Sequence, residues 1–179
     1  NAHGQCDIPG EPGVRGAIEP YTDFTAVDAM GHHSLGLREG GSVCAWGSNE
    51  FGECNVPAPN ENFIAVAAGY AHSLGLKVDG SLVAWGSNAY GECNIPDPNA
   101  DFIAVAAGKN FSIGLKMDGS IVGWGRDDYG QATASAGDDF VAIAAGEDHG
   151  LAVRRDGSVV TWGINDHGQC NVPAPNSGL

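Results

Sequence analysis

Basic side chains are scarce in this 179-residue sequence: eight Lys and Arg stand against 22 Asp and Glu, a formal net charge of −14 at pH 7. Affinity for phosphate backbones comes from Lys and Arg displacing counterions, so nucleic acid is excluded as a partner. No apolar run approaches the ~20 residues that cross a bilayer as a helix, and no charged-then-apolar start marks a secretory signal. Membrane insertion is not expected. Cysteine is sparse too. Cys6, Cys44, Cys54, Cys93 and Cys170 are odd in number and form no C-x-x-C pair, which argues against a complete disulfide framework or a zinc site. The G-x-S-x-G elbow, the phosphate-cradling loop, H-E-x-x-H and the EF-hand loop are all missing. The chain therefore reads as non-enzymatic, with no cofactor and no metal.

Glycine, in contrast, is abundant. The 28 Gly are roughly twice the usual ~7%, while 42% hydrophobic residues are ample for a core, so neither a collagen-like nor a disordered chain fits. The glycines follow a repeat. Trp-Gly occurs at Trp46, Trp85, Trp124 and Trp162, spaced 39, 39 and 38 residues, and a further Gly (Gly52, Gly91, Gly130, Gly168) stands six residues after each Trp. Phe24, Phe63, Phe102 and Phe140 keep the register, as do His33, His72, Phe111 and His149. Four full units cover 21–59, 60–98, 99–136 and 137–175, preceded by a partial repeat at 1–9 and a linker insertion at 10–20, and followed by a tail at 176–179.

Each unit reads as four short strands. Phe63 to Gly69 is an apolar run too short for a helix, and His72 to Lys77 has leucines at alternate positions. Asp79-Gly80, Asp118-Gly119, Asp156-Gly157 and Gly40-Gly41 supply the positive φ of tight hairpin turns. Ser81 to Gly86 is the third strand and Gly91 to Pro96 the fourth, stopped by prolines that cannot donate to a ladder. Four antiparallel strands per ~40 residues in tandem predict an all-β propeller, one blade per repeat, with the small Ala67-Ala68-Gly69 and its equivalents on the innermost strand. A β-solenoid is the rival, disfavoured because its coils are shorter.

The unit from Val66 to Cys93, with its Ala-Gly-x-x-His-Ser-Leu, Asp-Gly-Ser and Trp-Gly-Ser-Asn-x-x-Gly-Glu-Cys segments, resembles the repeat of the regulator of chromosome condensation family. The short unit and the Gly-Gln-Cys-Asn-Val-Pro ending are similar to the compact bacterial branch, which includes secreted inhibitors of β-lactamase. The resemblance implies seven-bladed rings, a loop face that grips a protein target and, together with the absence of an initial Met, an extracellular setting. Seven such units need about 273 residues. Asn1 to Pro9 matches Asn165 to Pro173, so the two ends duplicate one another rather than complete one blade. Three expectations follow: a longer propeller polypeptide, an open arc that assembles with other copies into a homo-oligomer or filament, or a four-bladed ring with a surplus strand.

Within the repeat, the loops after the first and third strands vary most and share one face. Phe51, Tyr90, Tyr129, His167 and His3 each precede the Gly that opens the fourth strand. Aromatic anchors with acidic neighbours are the composition of a protein-binding surface, and the candidate contacts are His32, Phe51, Tyr70, Tyr90, Asn110, Asp127, Asp128, Tyr129, Asp148 and His167. The rings could equally wedge between blades. Phe111, at the repeat position of His33, His72 and His149, favours packing or hydrogen bonding over metal ligation there. The repeat-equivalent Cys6, Cys54, Cys93 and Cys170, with Ala132 in the third unit, read as small core residues too far apart to bridge. Arg38, Lys77, Lys116 and Arg154 precede the tight turn, where they either pair with the turn aspartates or tether neighbouring blades.

Overall fold

The computed structural model describes residues 22–174 together with Gly4; the rest of the partial repeat at 1–9, with His3 and Cys6, the insertion at 10–20 and the tail lie outside the described residues. Twelve strands and no helix occur among them. In chain order they are β1 (Phe24–Met30), β2 (His33–Arg38), β3 (Val43–Gly47), β4 (Phe63–Ala68), β5 (His72–Lys77), β6 (Leu82–Gly86), β7 (Phe102–Ala107), β8 (Phe111–Lys116), β9 (Ile121–Gly125), β10 (Phe140–Ala145), β11 (His149–Arg154) and β12 (Val159–Gly163). Each repeat folds into its own antiparallel sheet, in the orders β1-β2-β3, β4-β5-β6, β7-β8-β9 and β10-β11-β12.

Three strands, not four, form each ladder. The segment expected as the fourth strand folds into a turn that uses its own N–H groups. Asn94 N–H donates to the Gly91 carbonyl at 2.9 Å, Cys93 N–H to Asn88 Oδ1 at 2.9 Å and Ile95 N–H to the Cys93 carbonyl at 3.1 Å, and Pro96 has none to give. With its donors satisfied locally, the segment has no ladder to offer β6. It lies over the sheet, where Ile95, like Val56 in the first repeat, packs into the inter-sheet core.

The sheets stack in sequence like blades. Leu35, Leu37 and Val43 of the first pack against Phe63, Ala68 and Trp85 of the second; Leu74, Leu76 and Leu82 of the second against Phe102, Ala107 and Trp124 of the third. The third meets the fourth through Phe111, Ile113 and Leu115 against Phe140, Ala152 and Trp162. Each fully buried Leu or Phe contributes ~1.5–3 kcal/mol, so adjacent sheets, not isolated ones, make the core. The alanines sit where expected. Ala67, Ala68, Ala106, Ala107, Ala144 and Ala145 line the axis on which β1, β4, β7 and β10 converge. Among the described residues, no strand of the first sheet shares an extended contact with one of the last.

The hairpin turns follow the expected chemistry. Gly80 has φ +80°, and the Asp79 carboxylate accepts from Ser81 N–H at 3.0 Å and Ser81 Oγ at 2.7 Å. These turn aspartates leave the preceding cation free for another partner. Lys77 Nζ lies 4.3 Å from the Phe63 ring centre and donates to the carbonyls of Pro59 (3.1 Å) and Glu61 (2.7 Å); Lys116 does the same with Phe102, Pro98 and Ala100. Arg38 pairs with Asp23, and Arg154 with Asp139. Neither expected role is met as such: the cations hold the segment that enters their own blade, and only Lys77 and Lys116 reach back to the preceding repeat, at the Pro59 and Pro98 carbonyls.

Candidate functional site

Register decides which loops share an end of the arc. His72 opposes Gly86 across β5 and β6, and Ser73 opposes Ala68 across β4 and β5, so loops 69–71 and 87–92 emerge together. Gly86 makes this possible: it turns with φ +96°, and a Cβ there would stand 2.7 Å from the Ala71 carbonyl oxygen. The same geometry recurs in each sheet. All ten candidate residues therefore lie at one end.

Six candidate rings reach solvent: His32 and His167 are exposed, and Phe51 is 60% exposed, Tyr129 53%, Tyr90 52% and Tyr70 43%. The Phe and Tyr rings are thus about half exposed on this face, and Tyr70 and Tyr90 each touch a residue of the adjoining repeat. Two groups form around them. His32 meets Tyr70 edge-on with ring centres 5.9 Å apart, and Lys109 Nζ lies 5.6 Å from the Tyr70 ring centre while pairing with Glu147 at 2.6 Å. The Arg126 guanidinium sits 5.4 Å from both Tyr90 and Tyr129 and pairs with Asp128 at 2.6 Å. The hydrogen bonds to Glu147 and Asp128 hold Lys109 and Arg126 more strongly protonated than usual.

The remaining candidates are more local. Asp127 serves its own loop, accepting from Ala132 N–H (2.8 Å), Thr133 N–H (3.0 Å) and Thr133 Oγ1 (2.6 Å). The Asn110 carbonyl accepts from Arg126 N–H, and that of Asp148 from Ile164 N–H; Asp148 Oδ1 is buried without a partner. His167 is exposed beside Gln169, whose Oε1 takes its N–H at 2.9 Å. Arg126 and Lys109, the cations that join the rings, were absent from the candidate set. Their signal was a break in the repeat, since Ser48 and Ser87 stand where Arg126 does.

Beneath the face runs a second network, which the candidate residues Phe51 and Tyr90 enter only through their backbone N–H groups, on Glu53 and Glu92. His33 Nε2 meets Ser73 Oγ of the next sheet at 2.9 Å, and Ser73 donates to the Glu53 carbonyl at 2.9 Å; Trp85 Nε1 donates to that same carbonyl at 2.8 Å. His72, Ser112, Glu92 and Trp124 repeat the arrangement in the next seam. The Glu53 side chain is 2% exposed, and Glu92 is fully buried. Burial pushes the Glu53 carboxyl upward, but hydrogen bonds from its own backbone, the Ser48 hydroxyl and Phe51 N–H outweigh that and hold it below the usual range. The two histidines thus do the hydrogen bonding expected of them.

Cys54, Cys93 and Cys170 are free thiols. They are half-buried, and Cys54 and Cys93 each donate to a loop carbonyl, of Ser48 and Ser87, at 3.0 Å. Among the described residues, no three of His, Cys, Asp and Glu gather as metal ligands.

A family model described as the regulator of chromosome condensation (RCC1) repeat matches residues 63–92, 102–131 and 140–169, together half of the chain. The chain belongs to this family. Among solved structures similar to this RCC1-repeat chain, Prp20p from Saccharomyces cerevisiae has a TM-score of 0.73 at 21% identity over 86% of this chain and 48% of its own. That protein was described for its binding to Gsp1p and histones. Human WBSCR16 gives a TM-score of 0.73 at 20% identity, over 96% and 57%. The ectodomain of the Arabidopsis thaliana receptor kinase ACR4 gives 0.68 at 26% identity, over 87% and 55%. The RCC1-repeat chain thus spans about half the length of these structures, and the likeness is one of fold. Comparison with curated proteins finds no match.

Proposed function

We propose that this chain is a non-enzymatic protein-interaction module that holds a partner protein on its loop face. The observation that carries the reading is the pair of stacks on that face, Tyr90–Arg126–Tyr129 and His32–Tyr70–Lys109, whose tyrosine rings are about half exposed. Rings already ordered by a neighbouring cation lose little side-chain freedom on binding, and Tyr and Arg are the residue types that dominate interface energetics. The family supports the same reading, since it is built of propellers whose loops vary on a constant frame. Tyr90→Ala and Tyr129→Ala are expected to weaken the complex with the partner at least tenfold, measured by calorimetry, with the thermal midpoint unchanged. A complex that tolerates both would end the loop-face reading.

A second reading, assembly through the last sheet, has its own observation. Leu151 and Val153 of β11 are only half-buried where Leu74 and Leu76 of β5 are buried against the following sheet. Either a further repeat or another copy of the chain would cover that face. Native mass by light scattering, against the denatured mass of the same polypeptide, separates a monomer from a growing polymer.

A further inference from the structure

The loop face carries a notch in the first seam that neither stack fills. It lies between the Phe51 and Tyr70 rings, with His32 beside Tyr70, Glu50 at its rim and Glu53 in its floor, and has a volume of about 280 Å³. Clefts that enclose drug-sized ligands run from ~300 to 1,000 Å³, so the notch suits one side chain better than a cofactor. Its lining combines rings with the two carboxylates and the Ser48 side chain. Glu50 is exposed and makes no ion pair among the described residues.

The chain itself shows what such a setting attracts. Both basic residues of the described loop face sit on a ring and against a carboxylate: Lys109 on Tyr70 with Glu147, and Arg126 between Tyr90 and Tyr129 with Asp128. The first seam repeats the rings and the acids but has no cation of its own. Ser48 stands at the repeat position of Arg126 and Gly31 at that of Lys109. A ring face attracts a cation through its quadrupole, most strongly where water is partly excluded, and a nearby carboxylate adds to this.

Resting on the loop-face reading above, we infer that the Phe51–Tyr70 notch takes a lysine or arginine side chain of the partner protein, with the cation on the Phe51 ring and against Glu50. The net charge of −14 draws a basic partner segment to the face. The neighbouring seams, already filled by Lys109 and Arg126, leave this position as the one that selects for it.

The test uses the full chain, isotope-labelled, titrated with an acetyl-Gly-Arg-Gly-amide peptide and with its citrulline counterpart, which keeps the shape but loses the charge and exchanges one NH2 donor group for a carbonyl. Expected are millimolar binding, amide shifts confined to His32, Tyr70 and residues 50–53, and at least ~3-fold weaker binding of the citrulline peptide, the scale of an exposed cation–π contact with a carboxylate. Glu50→Gln should weaken the arginine peptide ~2- to 5-fold and Phe51→Ala should abolish its binding, whereas Tyr129→Ala should leave it unchanged. Phe51 and Glu50 are exposed, so both variants keep the fold, and unchanged amide spectra outside the loop verify this. Equal binding of the two peptides, shifts centred on Tyr90 and Tyr129, or no shift at all would overturn the notch. The small peptide reads the notch alone; the loop-face reading stands or falls on the Tyr90→Ala and Tyr129→Ala complexes.

Discussion

The imidazole of His72 lies 3.0 Å from the hydroxyl of Ser112 on the next sheet, Nε2 to Oγ, both residues fully buried. Ser112 gives its single proton to the Glu92 carbonyl at 2.9 Å. Nε2 must therefore carry the other proton, leaving Nδ1 a bare acceptor, and Nδ1 has no partner. The clasp joins two sheets that share no ladder, and it works only with a neutral imidazole of one tautomer.

Removing the hydroxyl tests the clasp directly. Ser112→Ala strands the His72 N–H in a dry seam, a loss of about 1–3 kcal/mol. Trp124 Nε1 still serves the Glu92 carbonyl at 2.8 Å, so the damage should be confined to the histidine. Urea denaturation should show a lower midpoint with an unchanged slope.

Acid should weaken the same seams. Burial lowers the His72 pKa to about 4, against a partial opposing pull from Glu92, and lowers that of His33 as well. With an unfolded value near ~6.5, the unfolded chain binds the proton first as pH falls. The His72 contribution is thus constant above about pH 6.5, and protonation of the unfolded chain at that residue lowers stability by about 3 kcal/mol down to about pH 4. His72→Phe should flatten that part of the profile. An equally steep fall in the variant would remove His72 as its cause.

The third seam shows which features were legible in the sequence and which were not. Phe111 replaces His, Gly150 replaces Ser and Gln131 replaces Glu, three departures far apart in the chain that meet at one interface. The periodicity gave the blades, their hairpins and the small inner strand, because turn chemistry and alternation are local. It did not give the pairing of His72 with Ser112 from the next repeat, because a period aligns equivalent positions and says nothing of which different positions touch. The fourth strand failed for a local reason: Asn88 and Gly91 take the N–H groups that a ladder needs. On the loop face the exposed rings were legible as a column of aromatics, but the cation lodged between Tyr90 and Tyr129 was not.

A methyl group at Gly75 should be costly. A Cβ there would stand 2.4 Å from the Phe63 ring, as at Gly114 with Phe102. Ala152 holds the equivalent position in the fourth sheet and is buried beside Phe140, so the substitution demands movement of the ring rather than an impossible backbone. Gly75→Ala should cost about 1–3 kcal/mol of overpacking, read as a lower thermal midpoint.

The thiols should be inert while the chain is folded. Burial, with a smaller push from Glu92, raises the Cys93 pKa to about 12, and burial raises that of Cys54 to about 11. The thiolate is the reactive form. A disulfide reagent at neutral pH should label both cysteines at the rate of unfolding, and labelling faster than that would show that the loops open without it.

Asp127 and Tyr129, two residues apart, should separate architecture from recognition. The Asp127 carboxylate holds Ala132 and Thr133 in the turn that follows the third sheet, the role that Asn88 fills for Cys93. Asp127→Ala should lower stability by about 1 kcal/mol, and Asp127→Asn, which restores the acceptor, should recover most of it. Tyr129 is half exposed and touches Arg126 from one side only. Tyr129→Ala should leave the thermal midpoint within the ~0.5 kcal/mol typical of surface changes while releasing the partner protein. If Asp127→Asn also lost the partner at full stability, the carboxylate would itself be a contact, and the boundary between the loop's frame and its binding surface would have to be redrawn at that residue.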